Sequence, residues 1–267
     1  NKLIIGVNMF SPKTERIKEL SKKYPESDKE IEKIFDTITY VYIDYANVKP
    51  WSTKLGWHVD PKRLKQFLDS FDNVYESKFY NGTLTGDKQS KKFGTEIEQM
   101  GYILKTKPVK IMRKSIDVSS ISSTSPDILN NFIRKPLLQK LKIETIEYLN
   151  KELAELNKQG VLFIEDLKCN FDVEIGRDIL TDCDKNGVDN YILWSGDSDF
   201  ADPIEQLLKD KKKVILFATA RRVASELNEL RSKGLLIFDI QKIRNFICWK
   251  KEIQKQQKGL LAEPSSV

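Results

Sequence analysis

Two stretches of this sequence end in aspartates set where a parallel sheet would gather functional groups. Asp44 closes the run from Ile38 to Ala46, whose β-branched and aromatic residues suit a buried strand. Asp197 and Asp199 follow a second such run, Tyr191-Ile-Leu-Trp194, in the turn Ser195-Gly-Asp-Ser-Asp-Phe200. Side chains at the carboxyl ends of parallel strands converge on a common crevice. Carboxylates crowded there raise one another's pKa unless a cation neutralises them. Mg²⁺ or Mn²⁺ is the natural partner, because both are hard ions that take carboxylate, water and phosphate oxygens. Gly196 permits the sharp backbone path, and Ser195 could bond a phosphate oxygen. Taken alone, Ser-Gly-Asp-Ser-Asp reads equally well as a cap for the helix that follows. Asp44 tips the balance toward a site. His58 is the single histidine, which excludes a two-histidine ribonuclease mechanism and leaves no convincing Ser-His-Asp constellation.

The elements that must position these acids alternate. Strands are expected at 38–46, 74–80, 102–104, 191–194, 214–217 and 235–238, with helices at 61–71, 90–100, 173–184, 203–209 and 223–231 between them. Asp60 is the expected N-cap of the first of these helices. Strands separated by helices imply an α/β fold with a mostly parallel central sheet covered on both faces. Ahead of it, residues 1–37 read as a helical N-terminal extension, two amphipathic helices broken at Pro25. At about 114–166 the alternation lapses into a Ser-rich loop and helical sequence, read as a helical insertion within a domain of residues 38–249, and 250–267 reads as a polar tail.

With 267 residues the chain is long enough to bury a continuous core. Lys and Arg number 45 against 39 Asp and Glu, a formal charge of +6 that suits polyanion binding. Cys169, Cys183 and Cys248 show no CxxC spacing, so neither a zinc knuckle nor a disulfide framework is implied, and a reducing, cytoplasmic setting is expected. Leu3 to Val7 lacks the features of a secretory leader, and no apolar run is long enough to span a bilayer, so no membrane partner is expected.

Three motifs together resemble the NYN domain, of the LabA-like branch within the PIN-like nuclease superfamily. They are Asp44-Tyr-Ala-Asn47 after a strand, Phe171-Asp-Val-Glu-Ile-Gly-Arg-Asp178 opening a helix, and Trp194-Ser-Gly-Asp-Ser-Asp-Phe200 after another strand, in the family's order. The resemblance implies a PIN-like three-layer fold and a metal-dependent ribonuclease, with RNA as partner and DNA left open. It implies that Asp44, Asp172, Asp197 and Asp199 ligate or orient the metal, that Asn47 braces its loop or touches phosphate, and that Ser195 matches the family's Ser before Gly-Asp. Asp178 corresponds to a family acid but falls on roughly the opposite helix face from Asp172, a secondary position. The family often places Lys-Gly before this helix motif. Here Lys168-Cys-Asn-Phe stands there instead, which leaves Lys168 without an assigned role.

Arg221 and Arg222, after the expected strand at 214–217, are the best-placed basic candidates for substrate phosphate. Trp51, Trp57 and His58 follow Asp44, where rings could stack on unpaired bases or simply pack a long loop. The insertion reads as an RNA clamp, a contact in a homo-oligomer, or a stabilising cover. A haloacid-dehalogenase-type phosphotransferase would need a second Asp two residues after Asp44, where Ala46 stands, and a Toprim-like site would need Glu on the first strand. From another class, an NYN-like RNA-binding or scaffolding module without turnover is the alternative.

Overall fold

The computed structural model describes residues 10–184, 188–219 and 223–251. Eight strands are present among them: β1 (Thr39–Asp44), β2 (Val74–Thr83), β3 (Ile103–Pro108), β4 (Lys110–Ser115), β5 (Phe163–Lys168), β6 (Asn190–Trp194), β7 (Lys213–Ala218) and β8 (Leu236–Asp239). The chain divides into two compact units, Asn1–Pro108 with Asn170–Val267, and Val109–Cys169.

In the first unit six strands form one sheet in the order β3-β2-β1-β6-β7-β8. All five pairings are parallel. The chain therefore works outward from β1 to one edge and then from β6 to the other, so the direction of progress reverses between β1 and β6. Such a switch point opens a crevice beyond the carboxyl ends of the two central strands. Asp44 ends one of them and Ser195 follows the other.

Every residue of β1 is buried, as a central strand covered on both faces requires. Side chains alternate along it, so Tyr40 and Tyr42 meet one layer and Val41 and Ile43 the other. The helix Asp172–Cys183 covers the first face: Tyr42 donates to Asp182 at 2.6 Å and Tyr80 to Asp178 at 2.9 Å. Aromatic rings fill the second. Phe35 stacks on Phe71 with centroids 4.1 Å apart, lies 6.3 Å from Phe217 of β7, and neighbours Phe67, which in turn meets Phe246 at 5.5 Å. Helices thus flank the sheet on both sides, giving the three-layer α/β arrangement.

Two N-terminal helices form, Glu15–Lys23 and Pro25–Glu32, divided at Pro25. They differ from an appended extension in what they bury: Ile17, Ile31 and Phe35 are at most 1% exposed. These residues contribute core to the first unit. Asp60 caps Pro61–Leu68 by accepting from Lys62 and Arg63 N–H at 2.9 and 3.3 Å.

The second unit holds the helix Ile143–Lys158 and the short helices Leu129–Asn131 and Lys135–Leu138 around Leu129, Leu138 and Ile146. It is not wholly helical, as the sequence suggested. β4 and β5 pair antiparallel from Lys110↔Lys168 to Ser115↔Phe163. Most of their residues are exposed on both faces. A ribbon that buries neither face imposes no two-residue alternation on its sequence, which is why the strands left no signal. Among the described residues no helix is long and apolar enough to cross a membrane.

Candidate metal centre

The loop after β6 is built by hydrogen bonds that reach back to β1. Asp44, 5% exposed, caps the helix Tyr45–Val48 by accepting from Asn47 N–H at 3.2 Å. Asn47 Oδ1 in turn accepts from Gly196 N–H at 3.2 Å and from the Trp51 indole at 3.1 Å. Ser195 is fully buried; its hydroxyl donates to Asp44 at 3.3 Å and accepts from Asp197 N–H at 3.3 Å. The Gly196 carbonyl receives Ala224 N–H at 3.0 Å. This bracing holds Asp197 at the N-cap of the short helix Ser198–Phe200, where it accepts from Asp199 N–H at 3.4 Å. Capping and clustering therefore coexist at Asp197.

Asp172 reaches the same place from a different element. It is the first residue of Asp172–Cys183, with its N–H held by Asn170 at 3.1 Å. Asp172, Asp197 and Asp199 each bring an oxygen within 4.8 Å of the others. Among the described residues no Lys or Arg pairs with any of the three. Burial, followed by a hydrogen bond with Asp199 and the charges of Asp197 and Asp199, pushes Asp172 up to about 6, against the pull of Asn170. When both acids are ionised neither can donate, and Asp172 Oδ2 is buried without a partner. Asp44 is also pushed up to about 6, chiefly by burial and further by Asp197, against the pull of Asn47 N–H and the Ser195 hydroxyl.

Residues 133–234 match the NYN domain family model. The matched span contains Asp172, Ser195, Asp197 and Asp199, whereas Asp44 and Asn47 precede it. No curated protein matches the chain. Among solved structures, the crystal structure of a protein of unknown function from Vibrio parahaemolyticus is similar at 16% identity and a TM-score of 0.47, covering 80% of this chain and 96% of that one.

The structure separates the remaining site candidates. Asp44 stands behind the triplet, its two oxygens engaged by Asn47 and Ser195. Asp178 faces away into an ion-pair network with Arg177 at 2.9 Å and Lys105 at 3.9 Å. Lys168 is an exposed residue of β5, opposite Lys110 in the second unit. Arg221 and Arg222 lie outside the described residues. Trp51 and Trp57 are each 2% exposed and pack the loop, while His58 stacks on Trp249 at 4.4 Å. Cys183 is half-buried and Cys248 buried.

Sequence reasoning overlooked Asn170, Lys78 and Asp182. Lys78 carried a readable signal, a lone cation amid the apolar and aromatic positions of a central strand. The acid that would bury with it, 104 residues away, carried none.

Proposed function

We propose that this chain is a divalent-metal-dependent nuclease acting on RNA, with Asp172, Asp197 and Asp199 as the carboxylates that hold the ion. The observation that carries this reading is their convergence, from a helix N-terminus and a strand-end loop, without a cation among the described residues. An all-oxygen donor set with an orphaned buried carboxylate oxygen fits Mg²⁺ or Mn²⁺. Such an ion, when bound, supplies a water activated for in-line attack on phosphorus and offsets charge on the leaving oxygen.

The chain's own residues prepare that chemistry. Asp44 and Ser195 hold the Asp197 loop from behind, and Asp44 adds negative charge that strengthens cation binding. Asn47 ties the loops after β1 and β6 together through Gly196. The N-terminus of the helix beginning at Asp172 presents backbone N–H groups that favour anions, phosphate included. RNA is the substrate assigned because the NYN-like motifs imply ribonuclease chemistry and the formal charge of +6 suits a polyanion. We assign a cytoplasmic setting because the spacing of Cys169, Cys183 and Cys248 suits neither a disulfide framework nor a zinc knuckle.

The test is cleavage of labelled single-stranded RNA, with DNA in parallel, under Mn²⁺, Mg²⁺ or EDTA, beside Asp197→Asn. Cleavage that requires metal and disappears with Asp197→Asn is the expected result. RNA binding without metal-dependent cleavage would replace this reading with that of a silent NYN-like binding module.

A further inference from the structure

The helix that delivers Asp172 is anchored to the sheet by charges buried where apolar side chains would ordinarily sit. Lys78 of β2 and Asp182 near the helix C-terminus are 6% and 1% exposed, and their charged groups are in direct contact. Tyr42 of β1 donates to the same carboxylate oxygen at 2.6 Å. The Lys78 ammonium also lies 5.4 Å from the ring centroids of Tyr40 and Tyr42 and 3.6 Å from Glu76. One turn nearer the N-terminus, Tyr80 donates to Asp178 at 2.9 Å.

Stability alone does not account for this arrangement. A buried ion pair recovers in attraction roughly what its desolvation costs, and apolar residues of similar volume hold such a position as well or better. The pair differs from apolar contact in directionality. A carboxylate that must meet both the Lys78 ammonium and the Tyr42 hydroxyl is satisfied at one rotation and one axial position of the helix. Apolar side chains tolerate sliding between neighbouring packings. Asp182 lies ten residues from Asp172 on one unbroken helix, about 15 Å along a rigid axis. A slip of one residue, about 1.5 Å with a turn of about 100°, would carry Asp172 out of reach of Asp197 and Asp199. Those two belong to a separate loop and cannot follow it.

We propose that Lys78, Asp182 and Tyr42 form a latch that sets the axial register of the helix and thereby places Asp172 in the carboxylate triplet. They are positioning residues, remote from the reacting atoms. The inference rests on the metal-centre reading for one of its two readouts and is independent of it for the other.

The variant Lys78→Met/Asp182→Leu removes both charges and keeps apolar volume, while Tyr42→Phe removes only a hydrogen bond. In the full chain, each is compared with the wild type by thermal melting, by calorimetric Mn²⁺ affinity, and by metal-free hydrogen–deuterium exchange of amides 175–179. The double variant is expected to melt cooperatively, to bind Mn²⁺ about tenfold or more weakly, and to exchange those amides faster. Tyr42→Phe is expected to move both readouts the same way by less. Folded variants with unchanged Mn²⁺ affinity and unchanged exchange overturn the latch. If the wild type binds no Mn²⁺, the metal-centre reading fails and amide exchange still decides the latch. If the double variant does not fold, Tyr42→Phe decides it.

Discussion

At its first residue the helix Asp172–Cys183 carries a carboxylate that meets two others and, among the described residues, no cation. Farther along the same helix, Asp178 meets Arg177 and Lys105, and Asp182 meets Lys78. The three aspartates share a helix, and two of them share a motif. Their partners tell them apart. An acid paired with a base is neutralised within the fold and holds elements together, whereas acids that gather without one raise one another's pKa, a cost that a bound cation would offset. The Asp172 carboxyl is pushed up to about 6, chiefly by burial and further by Asp199 and Asp197.

The sharpest way to break this contrast is to remove charge at each end in turn. Asp172→Asn, Asp197→Asn or Asp199→Asn is expected to lower metal-dependent cleavage by about 100-fold or more, with the fold intact by circular dichroism. At the paired end the losses should appear in stability. Asp182→Leu alone, which leaves the buried Lys78 ammonium with only the half-buried Glu76 at 3.6 Å as counter-charge, is expected to cost about 3 kcal/mol in denaturant unfolding. Asn47→Ala leaves the Gly196 N–H and the Trp51 indole without their acceptor, at about 1–3 kcal/mol. Equal activity losses from the Asp178→Asn and Asp172→Asn variants would erase the distinction between the two ends.

A smaller effect concerns pH. Asp44 and Asp172 have an ordinary value of 3.8 and titrate near 6 in the fold. The metal-free fold therefore loses stability as pH rises from 3.8 through 6, because ionisation costs more in the folded than in the unfolded chain. A divalent ion removes that penalty only when the acids are ionised. The rise in melting temperature on adding Mn²⁺ should therefore grow between about pH 5 and pH 7.5. A shift that is flat or falls over that range would show that Asp172 does not contact the ion.

How much of this was legible in the sequence follows from the range over which each signal acts. The strand Thr39–Asp44 and the turn after Trp194 were readable because a buried central strand needs an unbroken run of β-branched and aromatic residues, and a turn needs Gly196. The mostly parallel sheet followed from strand–helix alternation, whereas the adjacency of β1 and β6 is a matter of strand order that alternation leaves open. The ribbon β4–β5 was not readable, since a strand exposed on both faces bears no period. Nor was the division of labour among the acids. Asp44 and Asp172 look alike along the chain, and only tertiary packing gives the first to Ser195 and Asn47 and the second to Asp197 and Asp199. Lys78 and Asp182 show the same limit, because a long-range ion pair has no local grammar.

The most direct test of the central claim is calorimetric titration of Mn²⁺ into the wild-type chain and into the Asp172→Asn/Asp197→Asn/Asp199→Asn variant at about pH 7.5. Saturable binding by the wild type, abolished in a variant that remains folded, is the expected result. Absence of binding by the wild type, or undiminished binding by the variant, would contradict it.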